Sequence, residues 1–143
     1  MQTELTVKQI SQKIFYIRGF RVMVDSDLAL LYEVETGALN RAVRRNQARF
    51  PGDFVFQLTE NEKESLRCQI GISNADSKGG RRYLPLVFTE QGVAMLSSVL
   101  RSEKAVLVNV EIMRTFVQLR DFLLSNKELA QKLETLERKV LTN

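Results

Sequence analysis

The sequence predicts an α+β fold, in which small antiparallel strands and hairpins pack with helices that include a helix-turn-helix-like pair, followed by a long C-terminal helix. Two observations support this class. Short β-rich runs alternate with helical patterns over short connections. The 143 residues, 44% hydrophobic and 27% charged, suit one folded domain with a short extension. We therefore predict an N-terminal arm at 1–13, a domain at 14–120 and a C-terminal helix at 121–143.

The first predicted element is a β-hairpin. Residues 14–17 and 20–24 are rich in β-branched and aromatic side chains. Between them, the pair Arg18-Gly19 supplies a glycine for the positive φ that a two-residue turn requires.

Two helices are predicted next. Asp25 and Asp27 offer N-cap oxygens for a short first helix, and Thr36 offers one for a second helix. The apolar stripe of the second helix extends to Phe50, and Pro51 then ends the helix.

A strand at 54–58 is predicted to precede a helix that begins with a capping box formed by Thr59 and Glu62. After a loop at 71–80, a strand at 83–88 is placed to pair antiparallel with the strand at 54–58.

The last two predicted elements are helices. Thr89 caps the first of them and Gly92 permits close packing, a structural role that explains the motif Thr89-Glu90-Gln91-Gly92. The long helix begins near Glu103, with apolar residues at helical spacing: Val106, Val110, Met113, Phe116 and Val117.

The composition excludes most hydrolase chemistry. The chain has no histidine and one cysteine, Cys68, which excludes disulfide frameworks, Cys/His zinc sites and every catalytic triad that contains histidine. The tight acid pair Asp25 and Asp27 is better explained by helix capping than by metal binding. We expect a protein that is not an enzyme, with no catalytic residue, no metal and no cofactor.

The N-terminal residues do not form a secretory signal, and no apolar run is long enough to cross a bilayer. We expect the protein in the cytoplasm of a bacterial cell or a phage-infected host, without a membrane partner.

Positive charge is concentrated in two segments. The window 36–51 contains four arginines and no acid, and the window 77–89 contains three basic residues and no acid. Together the windows carry +7, so the rest of the +4 chain carries −3. This distribution is typical of a protein that binds a polyanion on one face, although two solvated surfaces rich in arginine would give the same count.

The two predicted helices fit a helix-turn-helix. Ala29 is the small residue at the helix crossing, Val34 is the apolar residue of the turn, and Leu39 with Ala42 forms the inner face of the second helix. One position departs from the pattern, because Glu33 stands where glycine is usual.

The second helix also has a pattern typical of DNA recognition. Asn40, Arg44 and Gln47 fall at i, i+4 and i+7 on one predicted exposed line, and Arg41, Arg45 and Arg49 lie beside it. Asparagine and glutamine can bond adenine edges and arginine can bond guanine, while flanking arginines hold phosphates. An ordinary amphipathic hairpin of helices is the structural alternative.

From about residue 14 to residue 120, the sequence resembles the ORF6N domain, a relative of the KilA-N and Bro-N domains of phage and bacterial proteins. The motifs that carry the resemblance include Arg21-Val22-Met23-Val24-Asp25, Arg49-Phe50-Pro51, Asp53-Phe54-Val55-Phe56-Gln57-Leu58-Thr59 and Phe88-Thr89-Glu90-Gln91-Gly92-Val93. The resemblance implies a DNA-binding domain of phage or prophage type, found in antirepressor-like and other regulatory proteins.

A second basic segment holds Lys78, Arg81 and Arg82 beside the pair Gly79-Gly80. A flexible glycine pair that delivers two arginines suits phosphate or minor-groove contact. A hairpin turn with solvated arginines explains the same residues.

The C-terminal helix has an apolar seam with alternating steps of three and four residues, formed by Leu119, Phe122, Asn126, Leu129, Leu133, Leu136 and Val140. We predict a parallel homodimeric coiled coil with Asn126 at an a position. Alternatively, Ser125 and Asn126 end one helix and cap a second that folds back.

The sequence therefore predicts a regulatory protein that binds double-stranded DNA, forms a homodimer through the C-terminal helix, and has a phage or host regulator as a further partner. The alternative function is a protein-interaction adaptor whose basic face binds an acidic partner.

Overall fold

The computed structural model describes residues 7–70 and 84–125, together with the single residues 131 and 135. It confirms the α+β class. The helices are α1 (Val7–Ser11), α2 (Asp25–Tyr32), α3 (Thr36–Arg45), α4 (Glu60–Ile70), α5 (Glu90–Leu100) and α6 (Glu103–Ser125). The strands are β1 (Ile14–Ile17), β2 (Phe20–Val24), β3 (Val55–Gln57) and β4 (Leu86–Thr89). They form one antiparallel sheet in the order β1-β2-β4-β3, which confirms the predicted pairing of β3 with β4.

The sheet separates two apolar cores because side chains alternate between its faces. Met23 and Phe88 point into the larger core, which also contains side chains of α1, α2, α3, α5 and α6. Val22 and Val87 point the other way and pack with Leu66 of α4. Helices α3 and α4 therefore lie on opposite faces of the sheet.

The predicted hairpin turn is confirmed. Arg18 and Gly19 both have positive φ, 56° and 83°, as a type I′ turn requires. The Arg18 side chain is anchored, since its guanidinium donates to both carboxylate oxygens of Glu62 at 2.7 and 2.8 Å and lies 4.3 Å from the ring centre of Phe56. These contacts hold an arginine at a turn position that favours glycine.

The capping box at the start of α4 is also confirmed. The Thr59 amide donates to Glu62 Oε1 at 2.8 Å, and the Glu62 amide donates to Thr59 Oγ1 at 3.2 Å. The hydrogen bonds from Arg18 and from the Thr59 amide lower the pKa of Glu62 from its ordinary 4.5 to about 2. One carboxylate thus joins the hairpin turn to α4.

We expect the stabilisation provided by Glu62 to depend on pH. Because the pKa of the carboxyl is lower in the folded state, this stabilisation is complete above about pH 4.5 and is lost as the pH falls toward about 2. Thermal unfolding of wild type and Glu62→Gln should give a lower melting temperature for the variant at pH 7. The difference should shrink through that acid window. A difference that is the same at pH 7 and pH 2.5 would contradict the ion pair as its source.

The junction between β4 and α5 matches its prediction. Thr89 Oγ1 accepts a hydrogen bond from the Gly92 amide at 3.4 Å and donates to the Asp53 carbonyl at 2.8 Å. A Cβ built on Gly92 would lie 2.0 Å from the carbonyl oxygen of Phe54. Gly92 is therefore required by close packing, as predicted.

Two predicted helix caps are wrong. The N-cap positions of α2 and α3 are Val24 and Glu35, and neither side chain makes a capping bond. Asp25 and Thr36 are instead the first residues of their helices. The physical reason at Asp25 is that its carboxylate is fully buried and accepts hydrogen bonds from other elements.

The apolar stripe predicted to be the buried face of the long helix is wrong in part. Phe116 is buried, but Val106, Val110 and Val117 are 50%, 42% and 43% exposed. They border an open apolar groove of about 590 Å³ between α5 and α6. The buried face of α6 instead contains Ala105, Val108, Asn109, Ile112, Thr115 and Phe116.

The N-terminal segment contributes to the larger core. Ile10 of α1 is fully buried, and α1 packs against α6. The segment predicted as an arm thus contains a helix that is part of the folded domain.

Candidate nucleic-acid interface

The α2–α3 pair forms with a tight turn despite Glu33. The backbone of Glu33 is left-handed, with φ 63° and ψ 44°. The Glu33 amide donates to Leu30 O at 3.2 Å, and the Val34 amide donates to Ala29 O at 2.9 Å. These two bonds form a Schellman motif. The predicted helix pair is confirmed, with glutamate in the conformation usually adopted by glycine.

The exposed and buried faces of α3 are sharply different. Leu39 and Val43 are buried in the larger core. Arg41, Arg44 and Arg45 are exposed on the opposite side of the helix. The core side therefore fixes α3 on the domain, and the arginines extend into solvent.

The structure does not place Asn40 on the exposed line, so that part of the prediction is wrong. Asn40 is 7% exposed, and its Nδ2 donates to Asp25 Oδ2 at 3.1 Å. It lies on the flank of α3 that faces the first turn of α2. The i, i+4, i+7 spacing could not distinguish an amide that faces DNA from one that binds a buried carboxylate.

Gln47 is exposed but is not on the line predicted from α3. The helix ends at Arg45, and a 3₁₀ turn, Gln47–Arg49, follows. The change of helix type rotates Gln47 away from the i+7 position and directs Phe50 into the core.

Asp25 is a site residue that the sequence analysis assigned only to capping. Its Oδ2 accepts hydrogen bonds from Asn40 Nδ2 and from the Leu86 amide, both at 3.1 Å. The carboxylate thereby joins α2, α3 and β4. Its position directly after the buried end of β2 was the available signal, since a charged residue is rarely buried without partners.

A second set of buried hydrogen bonds connects the helix pair to the rest of the domain. The Tyr32 hydroxyl donates to Asn109 Oδ1, and Asn109 Nδ2 donates to Val93 O at 2.8 Å. Burial raises the pKa of Tyr32, so its hydroxyl stays protonated and remains a donor. This chain of bonds connects α2 with α6 and α5.

The arginines of α3 differ from several other arginines of the domain in their partners. Arg18, Arg67, Arg114 and Arg120 each form an ion pair with a glutamate. Among the residues that the structure describes, Arg41, Arg44 and Arg45 form no ion pair.

Arg49 extends the exposed arginine set beyond α3. It lies in the 3₁₀ turn, and its Nη1 donates to Ser98 Oγ at 3.2 Å. We call Arg41, Arg44, Arg45 and Arg49 the arginine face.

The other predicted site residues are placed as follows. Lys78, Arg81 and Arg82 lie outside the described residues. Leu119 is half-buried and Phe122 is 62% exposed. The remaining residues of the predicted coiled-coil seam also lie outside the described part of the chain: Asn126, Leu129, Leu133, Leu136 and Val140.

Within residues 7–70 and 84–125, no cluster of three or more acidic or cysteine side chains is arranged to hold a metal ion. None of the described helices is both long and apolar enough to cross a membrane.

The family assignment agrees with this architecture. The ORF6N domain matches residues 12–99, more than half of the chain. The chain therefore belongs to the ORF6N domain family. Comparisons with curated proteins and with solved structures gave no significant match.

Proposed function

We propose that this protein is a non-enzymatic regulator of phage or prophage type that binds duplex DNA through the arginine face, in the cytoplasm of a bacterial cell or an infected host. The observation that carries the proposal is that Arg41, Arg44 and Arg45 are exposed and have no ion pair with a described residue. Membership of the ORF6N family is consistent with a phage-type regulatory protein.

The geometry of α3 suits a helix that lies in the major groove. A helix fits this groove, and arginine can form two hydrogen bonds with guanine O6 and N7. Arg44 lies within the exposed face of α3 and is our candidate for base contact. Arg41, Arg45 and Arg49 are our candidates for phosphates on either side.

The orientation of α3 depends on buried contacts that do not reach DNA. Leu39 and Val43 pack in the core, and Asn40 is bonded to Asp25. A helix held in this way keeps the backbone positions of its arginines fixed before binding. DNA binding then does not have to order the helix itself.

The test is a salt titration of the full chain with a random 20-base-pair duplex. Each phosphate that the protein neutralises contributes about −0.9 to the slope of log K against log salt. Four to seven contacts per protomer should therefore give a slope of about −4 to −6. A slope near zero, or no binding at low salt, would contradict DNA binding and favour an acidic protein partner.

A second experiment distinguishes base contacts from phosphate contacts. Arg44→Ala should cost about 1 to 3 kcal/mol on the preferred site, obtained by selection from a random pool, and much less on random DNA. Arg45→Ala is the matched control, because it removes the same side chain one position along α3. It should weaken binding to both duplexes alike. Equal losses for Arg44→Ala on both duplexes would show that Arg44 does not contact bases.

We also propose that the protein is a homodimer through its C-terminal helix. Phe122, in the last turn of α6, is 62% exposed. A large apolar residue of a dimer interface would be exposed in this way in a single chain. A dimer would present two arginine faces to two half-sites.

Asn126 provides the test of this dimer. In a parallel coil, an asparagine at an a position bonds its symmetry mate and fixes the dimer at some cost in stability. Asn126→Ile should therefore raise the melting temperature and permit trimers or tetramers in sedimentation equilibrium. A chain that ends at Leu124 is the monomeric control. A wild-type protein that is monomeric at tens of micromolar would contradict the dimer.

A further inference from the structure

The turn between α5 and α6 carries an exposed arginine in a strained backbone conformation. Arg101 directly follows α5 and has φ 54° and ψ 37°, which is left-handed. Glycine is favoured at this position after a helix, because a Cβ crowds the backbone there. A charged side chain therefore stands where glycine is expected to make the fold more stable.

In the described part of the chain, the two other non-glycine residues with positive φ, Arg18 and Glu33, have contacts that explain them. Arg18 is bonded to Glu62. Glu33 lies 3.3 Å from Lys104 Nζ through its carboxylate. The Arg101 side chain forms no hydrogen bond or ion pair with a residue in the described ranges 7–70 and 84–125. No contact within this part of the chain accounts for its side chain.

The α5–α6 turn lies beside the α2–α3 pair. One helical turn before Arg101, Ser98 Oγ accepts a hydrogen bond from Arg49 at 3.2 Å. Three residues after Arg101, Lys104 binds Glu33 in the α2–α3 turn. Helices α3 and α5 also pack against each other. Arg101 therefore lies in the chain between Ser98, which contacts Arg49 in the 3₁₀ turn after α3, and Lys104, which contacts Glu33 in the α2–α3 turn. This places it near the Arg49 end of the arginine face.

The local charge suits an anion. Two carboxylates lie near the turn: Glu33, which is held by Lys104, and Glu103, in the first turn of α6. The guanidinium groups of Arg49 and Arg101 have no carboxylate partner among the described residues. Guanidinium is the side-chain group that best matches a phosphate in shape and charge.

We propose that Arg101 binds a phosphodiester group of the DNA backbone next to the one bound by Arg49, so that the α5–α6 turn adds a phosphate contact to the arginine face. This inference rests on the proposed DNA binding. It also gives the arginine a role at a position that favours glycine.

The test is Arg101→Gly in the full chain. Removal of the left-handed strain should raise the melting temperature by about 2 to 4 °C. Loss of one phosphate contact should reduce the magnitude of the salt slope by about 0.9 and weaken binding to a random 20-base-pair duplex about eightfold at 0.1 M salt. A residue with a purely structural role would not give a more stable protein that binds less tightly.

Two variants complete the design. Glu33→Gly also replaces a left-handed residue by glycine, at the C-terminal end of α2, but it removes no positive charge. It should therefore raise the melting temperature without lowering the affinity for DNA. Arg101→Lys should retain most of the salt slope, because it keeps the charge.

If the wild type binds DNA with a steep salt slope and Arg101→Gly leaves that slope unchanged, this proposal is wrong and the proposed role of the arginine face is unaffected. If the wild type does not bind, the proposed function itself fails.

Discussion

Replacement of all four arginines of the arginine face by alanine is expected to lower the affinity for random duplex DNA by about three orders of magnitude at 0.1 M salt. Arg41, Arg45 and Arg49, the three candidates for phosphate contact, each contribute nearly one decade at this concentration, so the magnitude of the salt slope should fall by about 3. The variant should remain folded, because all four side chains are exposed. Fluorescence anisotropy over a range of salt concentrations measures both quantities.

The matched control removes the same number of positive charges elsewhere. Lys63 and Arg67 are on α4, which packs on the opposite face of the sheet from α3. With Lys8 and Arg114, they give a second fourfold alanine variant that has the same net charge. The surface pair of Arg114 with Glu111 contributes little to stability. The Arg67 side chain is only 23% exposed, so circular dichroism must show that the control variant is folded. An equal loss of affinity in both variants would mean that net charge, and not the arginine face, determines binding.

Gly92→Ala is expected to destabilise the domain by about 3 kcal/mol or more. The new Cβ would lie 2.0 Å from the carbonyl oxygen of Phe54 and 2.9 Å from its carbonyl carbon. Both are backbone atoms, so no side chain can rotate to relieve the contact. The Phe54 carbonyl also accepts a hydrogen bond from the Thr89 amide at 3.0 Å, so its displacement would disturb the junction of β4 and α5. Urea unfolding monitored by circular dichroism measures the loss.

Gly52→Ala is the control for this variant, because a Cβ at Gly52 has no atom within 4 Å. We expect a change of about 0.5 kcal/mol or less, as is usual for exposed positions. Similar stabilities for the two variants would contradict the close packing at Gly92.

The local elements were predictable because their signals lie within a few residues. The turn at Arg18-Gly19 and the caps formed by Thr59 with Glu62 and by Thr89 with Gly92 all have the predicted geometry. In each case one short segment contains both partners, so its own backbone energetics decide the conformation.

The candidate site was predictable only in part. The four arginines were found from their spacing and from the absence of acids, and the structure exposes all of them. Asn40 satisfied the same spacing, but its partner Asp25 is 15 residues away in sequence. No local sequence pattern indicates that this carboxylate is buried or that it accepts a hydrogen bond from a side chain of α3.

The sequence by itself determined the α+β class, the hairpin, the helix pair and the arginine-rich second helix, because these depend on periodicity, turn residues and charge within short windows. Only the tertiary structure decided which polar side chain of α3 faces inward and which stripe of α6 is buried. Val106, Val110 and Val117 have the apolar spacing of a core face, yet the neighbouring helices cover Val108 and Ile112 instead. The physical reason is that burial is a property of contacts between elements. A helix with apolar residues on two sides contains no information about which side its neighbours will cover.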